Sequence, residues 1–391
     1  MSNISLKIKM DSNNFQLTGN TNNIKPRQDI TFEDVISFDA LYNAAKECMK
    51  GVGWKSSVQM FKIDLLQWVS TIRKDLIEGT YKSRGFIEFT ICERGKTRNI
   101  QSVHISERMV QKSLCQNALR PIIIPRLIYD NSASIPGKGT SFALHRLKHH
   151  LQDHYKEYGQ NGYILIGDFS NYFGSIRHDI LIQKLRQVIF DDAIFELTKY
   201  FIDCFSGEIG LGLGSEISQI CAMFYLNDID HFIKEKLFIK GYGRYNDDFY
   251  LIDNDIEYLK CCLNNISFHI DNLGLRLNPK TKIIKLDQSF SYLKKNIYLT
   301  DTGKVTMRVP QKSITKNRQL LKKYKHMLLD DEITYSSIDQ SYRSRRGFLQ
   351  EYNQYDSIKE LDNLYNKLFI EDFISGKEKD DYDRRRNCKK L

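Results

Sequence analysis

The sequence contains no apolar run of 18 or more residues, so no membrane-spanning helix is expected. Residues 1–28 are polar, with scattered Asn and Lys, and lack the apolar core of a secretory leader, which predicts a cytoplasmic protein. Cys-x-x-Cys is absent. The eight cysteines (Cys48, Cys92, Cys115, Cys204, Cys221, Cys261, Cys262 and Cys388) and nine histidines offer no zinc spacing, and reduced, mostly buried thiols are expected. His149, His150 and His154 recur at helical spacing, but no accompanying ligands are evident, and a solvated helix face is the better reading. Internal repeats and low-complexity blocks are missing too.

What is present is room for two or three subdomains in 391 residues, and a basic balance. Lys plus Arg number 58 against 48 Asp plus Glu, giving +10 and a pI near 9.0, which favours a polyanionic partner. Residues 1–30 read as a loosely ordered arm. From Thr31 to about Glu78 the apolar spacing is helical, with Phe61, Leu65, Leu66, Val69 and Ile72 on one face. Two strands are expected around 85–91 and after a turn at Arg94-Gly95, then a helix over Ser106–Leu119, and Pro121 and Pro125 interrupt what comes next. Helices are predicted at 141–157, 178–190, 191–205, 216–239 and 255–273, strand material at 282–300, and a turn at Asp301-Thr302-Gly303.

Three carboxylates stand out. Tyr163-Ile164-Leu165-Ile166-Gly167-Asp168 is a short apolar strand ending in an acid. Tyr245-Asn246-Asp247-Asp248 puts two more at the tip of a hairpin, between Gly243-Arg244 and Phe249-Tyr250-Leu251-Ile252. Asn and Asp are ordinary turn residues, so the hairpin alone is weak evidence. Convergent with Asp168, however, it makes a three-carboxylate site for hard divalent cations, of the kind that holds two magnesium ions about 3.5–4 Å apart for phosphoryl transfer. Between them, Gly210-Leu211-Gly212-Leu213-Gly214-Ser215 opens a long helix, and its alternating glycines admit close backbone approach.

Taken in order, these motifs resemble those of bacterial reverse transcriptases, from about residue 85 to 300. Asp168-Phe169-Ser170-Asn171-Tyr172-Phe173, Gly210 to Gln219, Tyr245-Asn246-Asp247-Asp248 and Leu273-Gly274-Leu275-Arg276-Leu277-Asn278-Pro279-Lys280-Thr281-Lys282 match the palm motifs. Glu93-Arg94-Gly95-Lys96-Thr97-Arg98, Asp130-Asn131-Ser132 and Gly137-Lys138-Gly139-Thr140 match the fingers. The resemblance implies an α+β right-hand polymerase with fingers, antiparallel palm sheet and helical thumb. Its parts would be an arm (1–30), N-terminal helices and fingers (31–160), palm (161–303), basic thumb (304–375) and charged tail (376–391). It implies Asp168 and Asp247 as the main ligands of two Mg²⁺ ions, with Asp248 nearer the primer end. It implies a dNTP site of Lys96, Arg98, Phe173, Leu213, Gly214, Gln219 and either Lys280 or Lys282, in which Phe173 gates the ribose 2′-hydroxyl. Tyr245 and Lys294 would meet nucleic acid.

Two departures qualify the match. Gly212-Leu213-Gly214 replaces the usual Pro-Gln-Gly, and with Ser218-Gln219 it resembles diversity-generating retroelements. Tyr292-Leu293-Lys294-Lys295 replaces a Phe-Leu-Gly primer grip. Between Lys304 and His326 lie eight basic residues and no acidic one; Lys312, Lys316 and Lys323 share one helical face, suited to a phosphate backbone. Tyr342-Arg343-Ser344-Arg345-Arg346 adds a second cluster, and Arg384-Arg385-Arg386 with Lys389-Lys390 reads as tail. Nothing after residue 300 resembles a nuclease. The expected activity is RNA-templated DNA synthesis, with RNA template, DNA product and dNTP as partners and no membrane. Antiphage defence with a dedicated noncoding RNA and a partner protein is the first role implied, a diversity-generating retroelement the second. Template-independent addition and an inactive nucleic-acid scaffold are the competing activities.

Overall fold

The structure, a computed structural model, describes residues 30–93, 96–352 and 354–371, leaving aside the side chains of Glu93, Lys96 and Glu371. The expected arm (apart from Ile30), the Arg94-Gly95 turn, Cys388 and the tail at 376–391 lie outside the described residues.

Helices α1 (Phe32–Ile36), α2 (Phe38–Met49), α3 (Ser56–Ile63) and α4 (Leu65–Ile77) lead into the antiparallel hairpin β1 (Phe86–Glu93) and β2 (Lys96–Val103). Ser37 Oγ accepts the Ala40 N–H and so caps the start of α2. Helix α5 (Ile105–Leu114) passes through a π turn, Cys115–Leu119, into α6 (Arg120–Ile123). Pro121, expected to break this stretch, therefore sits inside a continuous helical path. The Arg120 N–H bonds Cys115 O, five residues back, and that wider turn makes room for a ring without an N–H. Pro125 lies in the single 3₁₀ turn Ile124–Arg126 that ends the path.

Next come α7 (Thr140–Tyr158), β3 (Tyr163–Gly167), α8 (Tyr172–Ser175), α9 (His178–Arg186), α10 (Asp192–Asp203), α11 (Glu216–Tyr225) and α12 (Asn227–His231). They precede the hairpin β4 (Gly241–Tyr245) and β5 (Asp248–Asp253), helix α13 (Ile256–Asn272) and strand β6 (Lys282–Lys285). Strands β3 and β6 pair antiparallel in the register Tyr163↔Lys285 to Ile166↔Lys282. A meander of β7 (Phe290–Tyr292), β8 (Lys295–Leu299) and β9 (Val305–Arg308) leads to the packed helices α14 (Gln311–Leu329), α15 (Tyr335–Gln350) and α16 (Tyr355–Asn366).

The described residues of Met1–Arg146, Gly167–Leu251 and Glu257–Thr281 form one compact unit. Those of Leu147–Ile166, Ile252–Ile256 and Lys282–Leu391 form a second. In the first, α11 is largely buried: Ile217, Ile220, Cys221, Met223 and Phe224 are all in the core, and Gln219 is exposed. Burial of each large apolar side chain contributes about 1.5–3 kcal/mol, which anchors the helix behind the glycine loop. In the second, Ile297, Leu299, Ile314, Leu321, Ile338 and Leu361 are buried.

Of the three histidines expected on a solvated face of α7, His149 is exposed and pairs with Asp153 one helical turn on, whereas His150 is buried and His154 packs over Gly162 and donates from Nε2 to the Asn161 carbonyl. Burial lowers the His154 pKa. Four of the seven described cysteines are buried; Cys204 is half-buried, and Cys92 and Cys261 are exposed.

Candidate active site

Asp168 follows the last residue of β3. From there the backbone runs beside residues 276–278: Ser170 N–H donates to Arg276 O (2.9 Å), Phe169 bridges Leu277, and Asn278 N–H donates to Asp168 O (2.7 Å). The Asn278 side chain adds a bond from Nδ2 to Asp168 Oδ2 at 3.0 Å.

The adjacent pair Asp247-Asp248 sits where the sequence puts it, at the β4–β5 turn. Asn246 takes a left-handed φ of 53°, a conformation Asn tolerates, and Asp247 completes the turn before Asp248 begins β5. Gly243 is required here, because a Cβ would stand 2.7 Å from the Tyr250 hydroxyl. Phe249, next to Asp248, covers both neighbours of Asp168. Its ring lies so close to Gly167 that a Cβ there would overlap it, and it packs on Phe169 at 5.4 Å between centroids. The carboxylate-bearing ends of the two segments are thereby held together within one compact unit.

Behind the hairpin is a buried charged brace that the sequence reading did not single out. Arg244 and Asp230, 1% and 0% exposed, bond through Nε–Oδ1 (2.7 Å) and Nη2–Oδ2 (2.6 Å). Arg244 also donates to Met223 O and, from Nη1, to Asn246 O (2.8 Å), the carbonyl of the turn itself. Tyr242 O–H donates to Asp230 at 2.6 Å. Burial works against the Arg244 charge, yet Asp230 more than offsets it and the net shift is upward. The expected fingers residues Asp130, Asn131 and Ser132 are buried in this same region. Arg244 N–H donates to Asp130 O, Ser132 N–H donates to Arg244 O, and Asp130 pairs with Arg146 and Lys234. Lys138 likewise turns inward, onto the Tyr129 and Asn131 carbonyls.

The glycine loop is tied on both sides. Leu211 N–H donates to Phe173 O and Gly210 N–H to Ile176 O, while Gln101 N–H of β2 donates to Leu213 O (3.0 Å). A Cβ on Gly212 would lie 2.2 Å from Gln101 Oε1, which explains glycine there. Phe173 and Leu213 line a cavity of about 260 Å³ with Glu88, Asn99, Gln101 and Asn171. Gly214 sits at φ 114°, and Gln219 is exposed beside Ser134. Thr140 donates to the Tyr245 hydroxyl at 3.5 Å. Arg98 is exposed on β2; the Lys96 side chain lies outside the described residues.

Lys280 and Lys282 occupy different settings. Lys280 is in the turn whose N–H groups bond Asn278, at Oδ1 and at O, whereas Lys282 opens β6 opposite Ile166. Lys294 is exposed in the two-residue β7–β8 turn, where Leu293 and Lys294 both have positive φ (45° and 62°). Lys312, Lys316 and Lys323 are exposed on α14, opposite buried Ile314 and Leu321. Arg345 is drawn inward onto Asn317 at 2.7 Å.

The oxygen-only donor set of Asp168, Asp247 and Asp248 fits a hard divalent cation. Among the described residues, no group of three His, Cys, Asp or Glu side chains is arranged to hold a metal ion.

The sequence profile described as Reverse transcriptase (RNA-dependent DNA polymerase) matches residues 82–297. The chain belongs to the reverse transcriptase family. Its mixed helices and antiparallel sheets are those of the right-hand polymerase fold, and members of the family use divalent metal ions. Among curated proteins, none matches. Apo telomerase from Candida tropicalis, truncated from its C-terminal domain, is a structural neighbour at TM-score 0.46 and 14% identity, over 57% of this chain and 55% of that one. This reverse transcriptase thus spans about half the length of that neighbour. Telomerase from Candida albicans in complex with the TWJ fragment of telomeric RNA aligns at TM-score 0.46 and 12% identity, over 83% of this chain and 68% of that one. No described helix is long and apolar enough to cross a membrane.

Proposed function

We propose that this reverse transcriptase extends a primer 3′ end with dNTPs on an RNA template. The primer 3′-hydroxyl oxygen bonds the α-phosphorus, the bond to the bridging oxygen breaks, and pyrophosphate leaves. The observation that carries the proposal is the packing of Phe249 on Gly167 and Phe169, which ties the Asp168 segment to the hairpin of Asp247 and Asp248. Those three carboxylates would hold magnesium. Bound there, a pair of Mg²⁺ ions supplies neutralisation of the triphosphate and activation of the hydroxyl. Phe173 and Leu213 wall the nucleotide sugar, with Gly214 in the same loop and Gln219 in the first turn of α11. Lys96 and Arg98 approach the triphosphate as point charge and planar fork. Lys280, in the turn hydrogen-bonded to Asn278, or Lys282 meets the pyrophosphate. Tyr245, Lys294, Lys312, Lys316, Lys323 and Arg345 serve nucleic acid, although Arg345 also has a partner inside its own unit.

The decisive assay offers purified protein labelled dNTPs and Mg²⁺, with and without an RNA template. Incorporation that requires RNA supports the proposal. Equal incorporation without template favours template-independent addition, and none favours a binding scaffold.

For biological role we put antiphage defence with a dedicated noncoding RNA and a partner protein first, on the resemblance to bacterial enzymes. A diversity-generating retroelement is second, favoured by Leu213 in place of glutamine. Losing one sugar hydrogen bond, about 0.5–1.5 kcal/mol, permits up to roughly tenfold looser discrimination. Leu213→Gln should then lower misincorporation on a heteropolymer RNA, and identical error spectra would remove that support. Sequencing the nucleic acid that copurifies distinguishes the two roles.

A further inference from the structure

Asn278 grips the chain at both ends of its amide. Oδ1 accepts the Lys280 N–H at 3.0 Å, and Nδ2 donates to Asp168 Oδ2 at 3.0 Å. The first bond settles the amide orientation, because a backbone N–H needs an oxygen opposite it, so the end facing Asp168 is the NH₂. The backbone joins in: Asn278 N–H donates to Asp168 O, and Thr281 N–H closes the Asn278-Pro279-Lys280-Thr281 turn onto Asn278 O (2.9 Å).

We propose that Asn278 is a positioning residue for the Asp168 carboxylate, an inference that rests on Asp168 being a metal ligand. A carboxylate on a single Cβ can rotate, and a fixed donor on one oxygen selects the rotamer before a cation arrives. A neutral amide does so without cancelling negative charge, which lysine or arginine at this position would cancel. Its other end holds the backbone of Lys280, so the carboxylate and the turn bearing that lysine are set by one side chain. Partners of this kind typically govern metal affinity by about 10- to 100-fold.

The competing reading is that Asn278 merely shapes the turn. Asn278→Asp separates the two, since an aspartate oxygen still accepts the Lys280 N–H but has no NH₂ for Asp168. Asn278→Ala removes both bonds. The measurement is Mn²⁺ binding, followed by electron paramagnetic resonance, to protein carrying a dideoxy-terminated DNA primer on an RNA template with the matching dNTP. Primer–template affinity and thermal unfolding are measured alongside, with kcat from unblocked primers. The expected result is Mn²⁺ affinity lowered about 10- to 100-fold in both variants. kcat should fall and recover partly at high Mn²⁺, with primer–template affinity and unfolding close to wild type. Wild-type or tighter Mn²⁺ binding by Asn278→Asp would overturn the inference and leave a turn former. Asp168→Asn in the same titration guards the underlying reading: if that variant binds Mn²⁺ normally, it is the metal-ligand reading that falls.

Discussion

Arg244→Met is the most informative perturbation of the hairpin. Wild-type Arg244 spends its guanidinium on Asp230, Met223 O and Asn246 O. With methionine in its place, the fully buried Asp230 keeps, among the described residues, the Tyr242 hydroxyl and, at 3.5 Å, the Asn131 amide. Removing one partner of a buried pair costs about 3–5 kcal/mol, against a typical total stability of roughly 5–15 kcal/mol. Adding Asp230→Leu removes the stranded charge and should return most of that loss. It cannot return the donor to Asn246 O, so the turn bearing Asp247 remains unbraced. A misplacement of about 1 Å at a reacting centre can cost about 10²-fold. The assays are urea unfolding and single-turnover primer extension on each variant. The double variant should unfold near wild type yet extend about 10²-fold more slowly. Full recovery of rate together with stability would refute the brace, and a loss below about 1 kcal/mol in the single variant would refute the buried-pair argument.

Phe173→Ala should weaken rNTP exclusion by about tenfold or more while lowering dNTP use modestly, because the ring that lines the cavity beside Leu213 is gone; unchanged discrimination in single-nucleotide extension returns Phe173 to a packing role. Replacing Lys312, Lys316 and Lys323 with Ala should weaken binding alike on all sequences and shrink the log–log salt slope by about 0.7–0.9 per lost phosphate contact, so an unchanged slope would make these lysines a solvated face. Lys295, 4% exposed, holds its ammonium 3.8 and 3.7 Å from the centres of the Phe348 and Tyr352 rings, and burial brings its pKa from 10.5 down to about 8 against the opposing pull of Glu351. Below pH 8 both folded and unfolded chains keep that proton, whereas between about 8 and 10.5 only the unfolded chain does, so this group makes stability rise with pH there; Lys295→Met should flatten the rise, and the same slope in both proteins would refute it.

The parts legible in the sequence are those whose causes are local. The Asn246 turn, the strand leading to Asp168 and the glycine loop before α11 all follow from turn chemistry and short apolar runs, with β3 ending one residue short of Asp168. The parts that were not legible depend on partners far apart in the chain. Asn278 and Asp168 are 110 residues apart, and nothing in the periodicity around Asn278 announces the pairing. Arg244 and Asp230 are 14 apart on different elements, and an arginine in Gly-Tyr-Gly-Arg-Tyr is a signal only once that strand is known to be buried. Pro121 misleads for a similar reason: the π turn that accommodates it is made by residues before it. Asp130 and Lys138 carry charges that the sequence offers to solvent or phosphate, and tertiary pairing turns both inward.

The central claim, that Asp168, Asp247 and Asp248 form the metal-dependent centre of DNA synthesis, is tested most directly by Asp247→Asn. An amide of nearly the same shape keeps the turn but gives up the charge a divalent cation requires. Primer extension with dNTPs and Mg²⁺ on an RNA template is compared with wild type, alongside primer–template affinity and thermal unfolding. The account predicts that synthesis is abolished while binding and folding stay close to wild type; dNTP incorporation at the wild-type rate by purified Asp247→Asn would contradict it.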